Sequence, residues 1–254
     1  MHWLAKYFPH DIASNGRDID GLFTVIYWIT ASVFLLVMGL MLLFLIRYRH
    51  RPGHKAIYHH GNNTLEIVWT VIPALILVWL TFKSEAVWSQ VRGELPPADL
   101  RIGVSAEQYN WFFCYPGADG NLGKPVLSGK SAHFSEGDNV VETTLHVPKG
   151  KVIRVAITSG DVIHSFFLPN LRLKQDAVPG RIVEVWFKPM ETGEYEVACA
   201  ELCGEGHTGM RAKMVVHEPS DFVRWLKEKT RMRERSNSRL SWKSLLSVLA
   251  RRRW

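Results

Sequence analysis

Between Asp20 and Glu66 this chain has no acidic residue, and from Gly21 to Ile46 it has no charge of either sign over 26 positions. Such a run is too long for a buried helix of a soluble domain. Rising about 1.5 Å per residue, it spans the roughly 30 Å hydrocarbon core of a bilayer with some tilt. It is also longer than the apolar part of a signal peptide, and no basic cluster precedes it. Cysteine is scarce, with 3 in 254 residues. That excludes a disulfide framework, and the lack of any Cys-x2-Cys-His excludes a covalently attached c-type haem on this chain. Cys114 stands among aromatics in Trp111-Phe-Phe-Cys-Tyr115 and reads as a buried structural thiol.

A second uncharged run covers Ile67 to Phe82, with Trp69 and Trp79 near its ends. Leu65 extends it and Lys83 can snorkel, so the spans are expected over residues 21–46 and 65–83. Pro73 is tolerated inside a membrane helix when a neighbour satisfies the freed carbonyl. The connecting loop carries Arg47, Arg49, Arg51 and Lys55. By the positive-inside rule that loop is cytoplasmic, with both termini and everything after the second span on the opposite side.

The overall charge of +7 hides an asymmetry. From Arg224 to the end there are 11 basic and 2 acidic residues, a net of +9, which leaves −2 for the rest. Ser84 to Ser220 holds 13 basic and 17 acidic residues, a net of −4. A basic terminal tail is not a folded reading surface, so a nucleic-acid partner is excluded. Three regions follow: residues 1–90 with the helices, 91–219 as a second domain entered through Pro96-Pro97, and 220–254 as a basic helix and tail. In the second domain the apolar period becomes two, in Val140–Val147, Val152–Ile157 and Ile182–Phe187, each bounded by Gly, Pro or Asp clusters. Regularly spaced short strands indicate a β-sandwich or barrel. A helix is expected over Asp221–Arg235, capped by Ser220 or Asp221. Beyond it, Leu240–Leu249 and Arg251-Arg-Arg-Trp254 form a basic amphipathic segment that suits either an anionic membrane surface or solvent.

The chemistry concentrates in Cys199-Ala-Glu201-Leu-Cys203-Gly-Glu-Gly-His207-Thr-Gly-Met210. Thiolate, imidazole and thioether together suit copper, and two thiols at this spacing can each bridge two metal ions. His164, in Val162-Ile-His-Ser-Phe-Phe167, is the candidate second imidazole. A disulfide between Cys199 and Cys203 is the plainer alternative. Zinc could take two Cys and two His but leaves Met210 unexplained.

Cys-x-Glu-x-Cys-x3-His-x2-Met resembles the binuclear CuA loop of cytochrome c oxidase subunit II. Asp161-Val-Ile-His-Ser165 and Lys174-Gln-Asp-Ala-Val-Pro-Gly-Arg181 resemble other segments of that family, and the likeness covers roughly residues 20 to 218. The resemblance implies a two-helix transmembrane hairpin plus an all-β cupredoxin domain, a Greek-key β-barrel, whose ligand loop joins the last two strands. It implies that Cys199 and Cys203 bridge two coppers, that His164 and Met210 complete one, and that His207 and the Glu201 carbonyl complete the other. The Glu201 side chain would then hold Mg2+ shared with subunit I. Glu66, Trp69 and Pro73 match the family pattern that places the proton-pathway entrance at Glu66. Gln108-Tyr-Asn-Trp-Phe-Phe113 resembles the family's aromatic segment, where a surface Trp receives the electron; Tyr109 stands at that position here and Trp111 matches the second Trp.

These resemblances imply a subunit of a cytochrome c oxidase in a respiratory chain. It would take electrons from cytochrome c and pass them to haem in subunit I, where oxygen is reduced and protons are pumped. Its partners would be subunit I, other oxidase subunits, a c-type cytochrome and the membrane, with the copper domain on the periplasmic side of a bacterial inner membrane. Glu107, Asp119, Glu136, Asp138, Asp161 and Asp176 are candidates for docking a basic donor. A CuA-containing nitric oxide reductase is the alternative. A quinol oxidase lacks the copper ligands, and a copper carrier needs a more open site.

Overall fold

The computed structural model describes residues 8–55, 57–58, 60–117, 122–123, 125–128, 131–134 and 139–250. The chain divides into two compact units. One runs from Arg17 to Glu94; the other starts at Leu95 and includes the N-terminal segment through Gly16.

The first unit is two helices. α1, Gly16–Arg47, contains the uncharged run, with Asp18 in its first turn and Arg47 in its last, the charge order that complements the helix dipole. Its 32 residues extend about 48 Å. α2, Asn63–Arg92, begins at Asn62, whose side chain accepts the Leu65 N–H at 3.1 Å. Glu66 lies in the first turn of α2, Pro73 within it and Arg92 in the last turn. In each helix the most apolar stretch has no buried residue. Apolar surface on that scale requires a bilayer or a partner to cover it.

The second unit is all β until its last helix. Its strands are β1 Leu100–Glu107, β2 Asn110–Tyr115, β3 Pro125–Ser128, β4 Ser131–Phe134, β5 Val140–Glu142, β6 Leu145–Pro148, β7 Ile153–Ser159, β8 His164–Leu168, β9 Leu173–Ala177, β10 Val183–Phe187, β11 Gly193–Cys199 and β12 Arg211–His217. One sheet runs β10-β7-β1-β2-β5, the other β6-β12-β11-β8-β9, and β3-β4 is a hairpin. Parallel pairing of β1 with β7 and of β6 with β12 requires long connections, which separates this topology from a simple meander. Alternate residues face inward: Ile102, Val104, Phe113, Val155, Ile157, Phe166, Leu168, Val197, Met214 and Val216 build the core. Cys114 is buried there, and burial pushes its thiol up to about 12, as its aromatic surroundings suggest.

Three features differ from the sequence reading. Val140–Val147 is not one strand: Thr143-Thr144 break it, so that β5 joins one sheet and β6 the other. The last helix, α3 Pro219–Ala250, starts at Pro219 and runs past Arg235. Proline fits a first helical position because its missing N–H would be unpaired there anyway. Most consequentially, the segment before α1 packs in the β unit. Ile12 is 2% exposed in its core, the Ile12 N–H donates to the Asn170 carbonyl at 2.9 Å, and the Met190 N–H donates to the Ile12 carbonyl at 2.7 Å.

α3 docks through Phe222, Trp225 and Leu226. The Trp225 ring lies 4.1 Å over His146 and nearly parallel to it, and Tyr115 meets its edge. His146 Nδ1 and His217 Nε2 are 2.8 Å apart, in rings only 17° from parallel, which is an in-plane N–H···N hydrogen bond. Arg251–Trp254 lie outside the described residues.

Candidate metal centre

β8 opens with His164 and β11 ends with Cys199. Their antiparallel pairing sets Cys199 opposite Phe166, two residues from His164 on the same strand. Side chains two apart on a strand share a face. His164 Nδ1 accordingly comes within 3.9 Å of Cys199 Sγ. The loop from Ala200 to Met210 then folds back over this point. Its base is held by Ala200 N–H to the Ser165 carbonyl at 3.0 Å and by Cys199 N–H to the Met210 carbonyl at 3.2 Å. A 3-10 turn at His207–Gly209 turns His207 and Met210 toward Cys203. Cys203 Sγ stands 3.8 Å from Cys199 Sγ, 3.6 Å from His207 Nδ1 and 3.8 Å from Met210 Sδ. The Glu201 carbonyl lies 3.2 Å from Cys199 Sγ, while its side chain is exposed. All six residues expected to ligate metal therefore meet in one place.

The donor set can be tested against its alternatives. Cys199 and Cys203 are free thiols. Two thiolates bound to one metal at about 2.3 Å and a near-tetrahedral angle stand about 3.8 Å apart, the separation found here. Met210 is fully buried and aims its thioether at Cys203, a donor that zinc does not use and copper does. Burial, then the neighbouring Cys199, pushes the Cys203 thiol up to about 11. A metal ion held there would have to displace the Cys203 proton.

Around the donors is a shell that the sequence did not single out. His164 is fully buried, and its Nε2 meets Asp161 Oδ1 at 2.8 Å, so the other nitrogen, Nδ1, faces the thiols. Asp161 also accepts the N–H groups of Val162 and Gln108, each at 2.7 Å. Partial burial pushes its carboxyl up, but His164 and these two N–H groups outweigh that and hold it below the usual range. Gln108 Nε2 donates to the Cys203 carbonyl at 2.6 Å. The Asp161 signal was present, three residues before His164, but read as a surface acid.

The two aromatics of the receiving segment separate. Tyr109 is half-buried and lies on the ligand loop: a Cβ on Gly206 would stand 2.4 Å from its ring, and one on Gly204 would stand 2.6 Å from its hydroxyl. Trp111 is 1% exposed, its ring 6.2 Å from that of His164 and 5.5 Å from that of Phe166. A residue so buried makes no direct contact with a docking protein. Glu66 is exposed and belongs to the helical unit. Of the candidate docking acids, Asp161 is engaged with the site. Asp176 accepts from Ser165 Oγ at 2.7 Å, and Glu107 is partly exposed. Asp119, Glu136 and Asp138 lie outside the described residues.

Residues 102–217 match the family described as cytochrome c oxidase subunit II, periplasmic domain, and residues 2–87 match the transmembrane domain of that subunit. The chain belongs to the cytochrome c oxidase subunit II family. Among relatives of this oxidase subunit, the alternative cytochrome c oxidase subunit 2 of Bradyrhizobium diazoefficiens is 33% identical over 240 residues, covering 90% of this chain and 86% of the relative. The cytochrome c oxidase subunit 2 of Thermostichus vulcanus is 30% identical over 283 residues, covering 89% and 80%. A solved periplasmic domain of subunit II of the cytochrome oxidase of Bradyrhizobium japonicum is 35% identical, with a TM-score of 0.44, and covers 55% of this chain and 99% of that one. As an oxidase subunit II, the chain is an integral membrane protein with two apolar helices and a copper-binding cupredoxin-like β domain.

Proposed function

We propose that this subunit receives electrons from cytochrome c at a binuclear copper centre and delivers them to haem in subunit I, where oxygen is reduced and protons are pumped. The observation that carries this reading is the convergence of two imidazoles and a buried thioether on a thiol pair 3.8 Å apart. In it Cys199 and Cys203 would be the thiolates shared by the two metal positions, His164 and Met210 would complete one, and His207 and the Glu201 carbonyl would complete the other. When bound, copper supplies one-electron acceptance and release.

The residues of the chain do the rest. Asp161 fixes the tautomer of His164 so that Nδ1 is the ligating atom. Buried Met210, Trp111 and Phe166 keep water from the inner side of the site. Tyr109, half-exposed on the ligand loop, is the point where the electron arrives, and Trp111 packs behind it against His164. The exposed Glu201 carboxylate is free to hold Mg2+ shared with subunit I, and Glu66 is the entrance of a proton pathway toward that subunit.

The packing of the N-terminal segment supports the proposed orientation. Residues 8–15 precede α1, yet they pack in the same unit as the domain that follows α2. That packing supports a reading in which both lie on one side of the membrane and the chain crosses it twice. With Arg47, Arg49, Arg51 and Lys55 between the helices, that side is the one opposite the cytoplasm, the periplasm of a bacterial inner membrane.

The test is electron paramagnetic resonance of the oxidised complex. One electron shared equally by two copper nuclei gives a seven-line hyperfine pattern, and Cys203→Ser should reduce it to four lines or abolish copper binding. A wild-type chain that holds a single copper, or zinc, refutes the assignment.

A further inference from the structure

We infer that Gln108 is the positioning residue that sets the geometry of the copper site, a role that rests on the binuclear reading above. The ligands come from two segments, the turn into β8 that carries His164 and the loop from Cys199 to Met210. Strand pairing ties these segments at Cys199 and Ala200, and the Cys199 N–H bond to the Met210 carbonyl closes the base of the loop. The far end of the loop, at Cys203, has no strand partner. There a third segment, the turn between β1 and β2, contributes no ligand but holds both sides. The Gln108 backbone N–H donates to Asp161 Oδ2 at 2.7 Å, and Asp161 Oδ1 meets His164 Nε2 at 2.8 Å. The Gln108 side chain donates to the Cys203 carbonyl at 2.6 Å. One residue thus links the orienting partner of a histidine ligand to the backbone of a bridging thiol.

The Cys203 carbonyl belongs to the peptide that leads into Gly204, whose φ is +131°, a conformation that side chains rarely adopt. The side-chain donor that holds this peptide is Gln108. Rotation would move Cys203 Sγ, the atom nearest to His207 and Met210. Tyr109 reinforces the clamp by lying on Gly204 and Gly206, where any Cβ would displace it. Partners that orient metal ligands are worth roughly ten- to a hundredfold in metal affinity when removed.

The test uses the copper-loaded oxidase complex, examined without any electron donor protein. Gln108→Met keeps the length and loses the N–H; Gln108→Lys keeps a donor of similar reach. Gln108→Met should make the two coppers inequivalent, blurring the hyperfine pattern and shifting the thiolate-to-copper bands. It should also speed copper loss to a chelator by roughly tenfold. Gln108→Lys should restore both readouts toward wild type. Haem content checks that each variant complex assembles. Wild-type-like spectra and copper retention in Gln108→Met overturn the inference, as does a variant whose only defect is slower oxidation of cytochrome c, since that defect belongs to a docking residue. A wild-type complex lacking the binuclear signature overturns the reading of the site itself.

Discussion

Acidification should release α3 from the β domain. The contact is built on a neutral imidazole pair: His146 and His217 share one in-plane proton, and Trp225 stacks on His146. Burial, then the neighbouring His217, holds His146 down to about 4 from its ordinary 6.5. Glu142 pulls the other way, while Lys229, paired with Glu142 at 2.6 Å, adds to the depression. Burial also lowers His217, against the pull of Asp221. The docked state therefore binds fewer protons than the undocked one. Its stability is complete above about pH 6.5 and falls as pH drops through the window toward about 4. A separation of about 2.5 units corresponds to about 3 kcal/mol. His146 is only half-buried, so screening by solvent reduces this to about 1.5 kcal/mol. That amounts to a roughly tenfold drop in the docked-to-undocked ratio near the acid end of the window. Hydrogen exchange over residues 219–230, corrected for the intrinsic effect of pH on exchange, reads this directly. Protection should fall roughly tenfold between about pH 7.5 and about pH 4.5, and His146→Phe, which keeps a ring under Trp225 but cannot titrate, should flatten the profile. Equal protection at both pH values, or an unchanged profile in the variant, refutes the reasoning.

Two further outcomes are expected. Glu66→Ala should slow oxidase turnover at saturating donor while the copper spectrum stays as in wild type; undiminished turnover would reduce Glu66 to an ordinary interfacial carboxylate. The rate of cytochrome c oxidation under limiting donor should fall steeply as salt rises, because the −4 balance from Ser84 to Ser220 steers a basic partner and salt screens such fields over about 10 Å at roughly 0.1 M. A flat or rising salt profile would point to an apolar contact instead.

The candidate ligand set was legible because most of it is local. Five of its six residues lie within one twelve-residue stretch, and their side-chain chemistry alone points to copper. His164 needed more, since only the pairing of β8 with β11 explains its approach. The strands were legible wherever one face stayed buried, as in β7 and β10. They misled at Val140–Val147, where the apolar pattern runs on while the chain leaves one sheet and joins the other at Thr143-Thr144. Val140 faces inward and Val141 outward in β5, whereas Leu145 and Val147 face inward in β6, so the buried parity shifts by one across the break. Gln108 stood in the quoted aromatic segment with no role of its own. Its importance comes from two hydrogen bonds to residues 53 and 95 positions away, and a polar residue in a turn looks the same whether it is solvated or bridging. Asp161 was visible but assigned outward, because charge counts do not show which acids are already engaged.

The insertion of Ile12 bears on how this protein can be divided. A soluble fragment beginning at the Pro96-Pro97 linker would hold every copper ligand and every strand. It would nevertheless lack one member of its own hydrophobic core and the backbone groups that meet Asn170, Lys188 and Met190. The slot left by an isoleucine is an apolar defect that costs a core on the order of 2–5 kcal/mol when the surroundings cannot collapse. Residues just ahead of α1, separated in the sequence from the strands by two membrane helices, thus complete the core of the copper-binding domain.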